Sequence, residues 1–381
     1  MEKSEIAHAH TFTIDHVKAR NLPLRHQVGQ LLIFGFDGTA STRALDTMLR
    51  SIQPAGTILF ARNIESAEQT YALNAHIHQS QRVPPFLCVD LEGGTVDRLR
   101  KVIAHAPDVA SIAISGQKKL YERHGRVIGE ECRALGFNVD FAPTLDLGFE
   151  ASKSVLTSRT ASENPKRVVE FATHFLDGLT KAKVLGCGKH FPGLGEGNLD
   201  THASMAVIDK PWKKLWDQDL HPYRALKNKL PFVMVAHAAY PAVTKKEIPA
   251  SLSSRWMRDI LRRKIGYRGL IVSDDLEMGG VLSQGAIEDI SVETLKAGAD
   301  MFLICHNEEF IWKSYEAVLL AAEKDRRFAE HVAFACDRVL SLKAKTKDFG
   351  KIAKAPDENV IEKHRKQVED LRAEVVRDLP L

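Results

Sequence analysis

Residues 184–202 read VLGCGKHFPGLGEGNLDTH. Val184, Leu185 and Cys187 form an apolar strand that runs directly into Lys189 and His190. A loop with Gly193, Gly195 and Gly197 follows, and it closes on Asp200 and His202, one residue apart. A buried strand that ends in reactive side chains is the pattern of a barrel enzyme, whose site lies at the carboxyl ends of its strands. A carboxylate hydrogen-bonded to one imidazole nitrogen fixes the tautomer and raises the basicity of the other. Asp200 and His202 therefore read as a proton-transfer pair carried on a loop.

The same pattern recurs outward from this segment. Short apolar runs lie at 28–36, 56–60, 84–90, 137–143, 184–191, 232–240, 269–275 and 298–305. Amphipathic stretches of helical period separate them, for example LYERHGRVIGEECRALG (120–136) and PKRVVEFATHFLDGLTKAK (165–183). Eight strands alternating with helices predict an α/β fold, a single-domain (β/α)8 TIM-type barrel. Asp90-Leu91-Glu92, Lys189-His190, His237 and Asp274-Asp275 each fall toward the carboxyl end of one of these runs. Strand ends are also where any chain turns polar, but these are reactive residue types rather than generic turn formers.

Residues 1–24 read as an N-terminal extension and 25–342 as the barrel. From 343 to 381 the chain is charged, with Val360, Ile361, Val368, Leu371, Val375 and Val376 at helical spacing. This predicts a C-terminal helical tail, lying on the barrel or making an oligomer contact.

Composition narrows the function class. The 381 residues include 53 basic and 49 acidic ones, interspersed, for a net charge of only +4. No basic stripe suited to nucleic acid stands out. Cys88, Cys132, Cys187, Cys305 and Cys336 are odd in number and widely spaced, which suggests reduced buried thiols. No apolar run approaches the ~20 residues of a membrane helix, and the N-terminus lacks a signal-peptide core. The expectation is a cytoplasmic protein without a membrane partner, either a monomer or a small homo-oligomer. No cofactor is expected. His190, His202 and His237 lack close i, i+4 ligand spacing, so no metal is expected either.

KHFPGLGEGNLDTH (189–202) resembles the loop KHFPGHG, four variable residues, DSH, found in family 3 glycoside hydrolases of the bacterial β-N-acetylglucosaminidase (β-hexosaminidase) branch. Leu194 stands where that loop has His, and Thr201 where it has Ser. The resemblance implies that His202 is the general acid/base and Asp200 its partner, and that Lys189 and His190 bind sugar hydroxyls. GYRGLIVSDDLEMGG (266–280) matches the segment of the catalytic nucleophile, which falls on Asp274. Alone, Ser-Asp-Asp would read as a helix N-cap. Neighbouring strand residues face opposite ways, so only one of Asp274 and Asp275 is expected to face a substrate.

VDLEGGTVDRLR (89–100) resembles VDQEGGRVQR, which makes Asp90 and Arg98 sugar-hydroxyl ligands; Thr95 replaces an arginine there, and Glu92 is expected to be structural. FAPTLDLGFEASKSVLTSRTASENPKRV (141–168) resembles FAPVLDV…VIGxRSFGxDP and places Arg159 near the substrate, with a surface arginine as the alternative. Asp140 and Asp146 read as structural carboxylates at the barrel mouth. VMVAHAAYPAV with PASLS brings His237 to the pocket or makes it a structural histidine. With GTILFARNIES and TLKAGAD, the resemblance runs in order over about 25–310.

The implied reaction is hydrolysis of a terminal β-linked N-acetylglucosamine with retained configuration, through a glycosyl-enzyme on Asp274. The implied substrate is a small carbohydrate, namely a peptidoglycan fragment in which N-acetylglucosamine is linked to 1,6-anhydro-N-acetylmuramic acid. Larger members of the family take a glutamate acid/base from a domain after the barrel, whereas here the Asp200–His202 loop supplies the donor. The alternatives are a retaining β-glycosidase of other sugar preference, a β-N-acetylglucosaminide phosphorylase and, from another class, a non-catalytic sugar-binding barrel.

Overall fold

The computed structural model describes residues 17–197 and 205–378. Its strands, in chain order, are β1 Leu32–Phe34, β2 Gly56–Leu59, β3 Phe86–Val89, β4 Leu91–Gly93 and β5 Val96–Asp97. They continue with β6 Val139–Asp140, β7 Leu185–Phe191, β8 Phe232–Val235, β9 Leu270–Asp275 and β10 Met301–Ile304. Eight of them close a parallel barrel in the order β1-β10-β9-β8-β7-β6-β3-β2. β1 closes the ring by pairing with both β10 (Ile33 opposite Leu303) and β2 (Ile33 opposite Gly56).

Each barrel strand falls inside one of the eight apolar runs. β4 and β5 form a separate antiparallel hairpin. That hairpin is too short to show in an apolar pattern. Its turn depends on Gly93 and Gly94 at φ +86° and +59°, the left-handed region that glycine enters without cost.

The helices cover the barrel as amphipathic layers. Lys118–Ala134 packs on Pro165–Lys181 at unusually close range. A Cβ at Gly125 would lie 2.0 Å from the Phe175 carbonyl, and one at Gly178 would lie 2.3 Å from that of Glu122. Asn164 starts the second helix by accepting the Lys166 N–H, with Pro165 at the first helical position.

Aromatic rings fill the lower barrel. Phe86 meets Phe232 edge-on at 5.1 Å and Phe349 at 5.2 Å. Lys343 comes in from below. It is fully buried, its ammonium sits 4.7 Å from the Phe86 ring centre, and it donates to Gln30 Oε1 and the Ala55 carbonyl at 2.9 Å each. The helix that carries it runs Arg326–Lys345, across the boundary drawn at 342–343. A lysine that counts as tail charge in the sequence is here part of the barrel floor.

The last helix, Glu358–Asp378, lies on the barrel's outer layer. Ile361, Val368, Leu371 and Val375 are buried, whereas Val360 and Val376 are exposed. Arg123 pairs with Glu374, and Gln367 donates to Glu130 at 2.8 Å, fixing this helix on Lys118–Ala134. No helix among the described residues is long and apolar enough to cross a membrane. Cys88, Cys132, Cys187, Cys305 and Cys336 are all free and buried.

Candidate active site

The carboxyl ends of the strands surround a cavity of about 180 Å³. Six residues singled out from the sequence line it: Asp90, Arg98, Arg159, Lys189, His190 and Asp274. They come from segments far apart in the chain: Asp90, Lys189, His190 and Asp274 sit at the carboxyl ends of barrel strands, whereas Arg98 follows the β4–β5 hairpin and Arg159 lies in the long loop after β6. Ile58, Phe141, Met234 and Leu303 give the cavity an apolar floor.

Glu92 is the hub of the β3 side. It is 1% exposed and takes a two-pronged contact from Arg159, with Nε and Nη2 both at 2.9 Å. Lys189 Nζ lies 2.6 Å from Glu92 and 2.8 Å from Asp90, and Thr144 donates to Glu92 at 3.1 Å. Burial alone would raise the Glu92 carboxyl, but the charges of Arg159 and Lys189 outweigh it and hold it far below the usual carboxylate range. Burial likewise lowers Lys189, and Asp90 and Glu92 overcome that to push it up. The cations stay charged and fixed in place. This is the structural role expected for Glu92, and it ties Arg159 to that role while leaving it at the cavity wall.

Arg98 is different. It has no ion pair among the described residues, its Nε is buried without a partner, and its guanidinium stands 5.8 Å from the Phe60 ring centre. A half-buried guanidinium at a cavity wall with an unmet donor is suited to an incoming oxygen.

On the opposite wall, His190 Nδ1 lies 2.7 Å from Asp146 Oδ2. The same carboxylate accepts the backbone N–H groups of His190 and of Leu194, the latter at 2.8 Å. Asp146 therefore sets the ring's tautomer, and Nε2 lies outside that contact. The sequence reading of Asp146 as structural understates it, since it positions a pocket residue. Leu194 is buried at 7% exposure, packing where the related loop has a histidine.

Asp274 and Asp275 both line the cavity, contrary to the alternation expected of a strand. The reason is an irregularity in β9–β10 pairing: Val272 faces Met301 but Asp275 faces Leu303, so β9 holds an extra residue. The two carboxyls differ sharply. Burial would raise Asp274, but His190, His237, the Asp275 N–H at 2.9 Å and Lys189 more than offset this and hold it below its ordinary value. Asp275 is pushed up to about 7, chiefly by burial and by Glu277, with Asp274 adding to it. Its Oδ1 is occupied by the N–H groups of Glu277 (3.1 Å) and Cys305 (3.2 Å). Asp274 is thus the carboxylate available for chemistry, and Asp275 holds the two loops.

The raised Asp275 has a measurable consequence. The unfolded chain loses this proton near pH 4, whereas the folded chain keeps it until about 7. Between those values the folded state binds more protons, so stability from this group falls as pH rises. Asp275→Asn keeps the oxygen that accepts both N–H groups and removes the charge. Its thermal stability relative to the unsubstituted protein should therefore improve between pH 5 and pH 8, on the order of 2 kcal/mol after discounting for partial exposure. A pH-independent difference in melting temperature contradicts this.

His237 lies behind the cavity wall. It is fully buried, with Nδ1 2.7 Å from Ser251 Oγ and Nε2 2.9 Å from the Asp275 carbonyl, the structural alternative raised for it. Asp200 and His202, the expected proton-transfer pair, lie outside the described residues. His306, Cys305, Phe60 and Met278 also line the cavity and were missed. Cys305-His306-Asn307 follows a predicted strand just as Lys189-His190 does, so the strand-end rule would have found His306.

These observations define a barrel with a polar pocket at its carboxyl end, and comparison with known proteins identifies its class. Residues 23–342 match the model for the glycosyl hydrolase family 3 N terminal domain, and the chain belongs to that family. It is a glycoside hydrolase. It is similar to a beta-hexosaminidase of Nitrosomonas eutropha, 35% identical over 285 residues that cover 73% of this chain and 81% of that one. A family 3 β-N-acetylglucosaminidase from Paenibacillus sp. str. FPU-7 superimposes with a TM-score of 0.87 at 30% identity, covering 92% of this chain and 68% of that one. Native NagZ from Neisseria gonorrhoeae superimposes with a TM-score of 0.69 at 27% identity, covering 82% and 97%.

Proposed function

We propose that this chain is a retaining β-N-acetylglucosaminidase, with Asp274 as nucleophile and His202, oriented by Asp200, as acid/base. The observation that carries the reading is the arrangement of charge across the barrel mouth. Asp274, kept anionic, stands near the carboxyl end of β9, and the Asp90–Lys189–Glu92–Arg159 group gathers around the end of β3, on the far side of the ring. A pyranose laid between them puts its hydroxyls on charged hydrogen-bonding partners and its anomeric carbon on the carboxylate.

Asp274 attacks the anomeric carbon while protonated His202 gives its proton to the leaving oxygen. Neutral His202 then takes a proton from water, which attacks the glycosyl ester and releases the sugar with its configuration retained. Lys189, His190, Asp90 and Arg98 hold the ring, and Arg159 braces Glu92 beneath them. The relatives named beta-hexosaminidase support N-acetylglucosamine as the sugar. A peptidoglycan fragment, with N-acetylglucosamine on 1,6-anhydro-N-acetylmuramic acid, is the substrate we favour. Five buried free thiols agree with a cytoplasmic setting.

The test is release of nitrophenol from the β-N-acetylglucosaminide and the β-glucoside. Turnover of the acetamido sugar alone is expected. Preference for the glucoside would assign another sugar, and silence on both would return the chain to the sugar-binding alternative.

A further inference from the structure

The chain that carries Asp200 and His202 leaves the barrel at the end of β7 and returns before the helix Trp212–Asp217. The described residues fix both of its feet. On the outgoing side, the Tyr240 hydroxyl donates to the Gly193 carbonyl at 2.7 Å, and Asp146 accepts the Leu194 N–H at 2.8 Å. Gly195 lies so close to Leu147 that a Cβ there would stand 2.6 Å from the Leu147 carbonyl oxygen. On the returning side, the Ile208 N–H donates to the Ala239 carbonyl and the Ala239 N–H to that of Ala206, each at 2.8 Å.

A buried ionic group joins the two feet. Lys210, 1% exposed, follows the returning foot, and Asp219, 2% exposed, lies just past the helix Trp212–Asp217. The Lys210 ammonium is 2.6 Å from Asp219 Oδ2 and 4.5 Å from the centre of the Phe149 ring. Asp219 also backs the outgoing foot, since a Cβ at Gly193 would lie 2.8 Å from its own Cβ. One lysine and one aspartate already balance each other, as buried charges require. Glu196 is a third member that this balance does not call for. It belongs to the outgoing foot, its side chain is 40% exposed, and its Oε1 lies 3.0 Å from Lys210 Nζ. What it adds is a direct tie from one foot to the other, bypassing residues 197–209.

We propose that Glu196 is a positioning residue for proton transfer: by binding Lys210 it fixes the two feet relative to each other, and through them the reach of His202 toward the leaving oxygen. The inference rests on the reading of His202 as acid/base and adds the side chain that holds it to that task. Glu196 does not line the cavity around Asp274, so it acts through the chain and not on the sugar. A misplacement of about 1 Å can cost a catalytic group roughly 100-fold, so a tie outside the cavity suffices to matter. A half-exposed carboxylate contributes little to the stability of the whole fold, and its variants are expected to fold.

The test is the dependence of kcat/KM on the leaving group, which reports glycosyl-enzyme formation. It is measured on phenyl β-N-acetylglucosaminide, whose phenolate needs a proton to depart, and on the dinitrophenyl analogue, whose phenolate does not. The ratio of the two values does not depend on how much of a preparation is folded. Glu196→Ala removes the tie, and Glu196→Gln keeps an oxygen that can accept from Lys210. Glu196→Ala is also combined with His202→Ala, because two changes that act through one group do not add.

The expected result is a fall in the phenyl-to-dinitrophenyl ratio of about tenfold in Glu196→Ala, a smaller fall in Glu196→Gln, and no further fall when Glu196→Ala is added to His202→Ala. Equal losses on both substrates, an unchanged ratio, or a fall that persists in the His202→Ala background overturns the proposal. If the unsubstituted protein turns over neither substrate, or His202→Ala leaves the ratio unchanged, the glycosidase or the acid reading falls and takes the proposal with it. Either case is told apart from failure of the tie alone, in which His202→Ala shifts the ratio and the Glu196 variants do not.

Discussion

Asp274→Ala is expected to lower turnover of the nitrophenyl N-acetylglucosaminide by about 10,000-fold or more, while N-acetylglucosamine still binds. The size follows from losing the covalent route, since no neighbouring group is placed to replace the carboxylate. Asp275 lies one residue along, but its Oδ1 is held by two backbone N–H groups and its carboxyl keeps its proton to about pH 7. A protonated acid is a poor nucleophile. Binding is expected to persist because the proposed hydroxyl partners reach the cavity from other segments: Lys189 pairs with Asp90 and His190 is held by Asp146, neither through Asp274. Near-normal turnover in this variant, assayed by nitrophenol release, would transfer the nucleophile to Asp275.

His202→Ala is the second large effect, and its size depends on the substrate. A positioned general acid contributes roughly 100- to 10,000-fold when the departing oxygen needs a proton. A sugar alkoxide needs one and a nitrophenolate does not. The variant should thus lose close to that full range on a disaccharide and far less on glycosyl-enzyme formation from the nitrophenyl substrate. Pre-steady-state release of nitrophenol separates that first step from the slower water attack, which also uses the imidazole. Equal losses in the first step on both substrates would count against the acid role.

Much of this was legible in the sequence for a simple reason. Strands of a parallel barrel are covered on both faces, so each appears as an unbroken apolar run, and the residue that ends the run faces the site. That rule alone locates Asp90, Lys189, His190 and Asp274. What stayed hidden depends on pairing across the barrel. The extra residue in β9 turns Asp275 into the cavity alongside Asp274, and no alternation pattern in one strand reveals its partner's register. Asp146 looks like any loop carboxylate until β7 brings His190 to within 2.7 Å of it. Lys343 reads as part of a solvated tail until its helix carries it beneath Phe86. Glu92 reads as structural from the sequence, but the sequence does not show that Lys189 and Arg159 both converge on it.

The most direct test of the account is to trap the intermediate. The protein is incubated with a 5-fluoro N-acetylglucosaminyl fluoride, which loads the nucleophile quickly and leaves it slowly, and is then digested and mapped by mass spectrometry. The account predicts one added sugar per chain, carried as an ester by the peptide containing Asp274 and absent from Asp274→Ala. A sugar on Asp275 or on another carboxylate, or steady hydrolysis of the reagent with no labelled protein at any time, would contradict it.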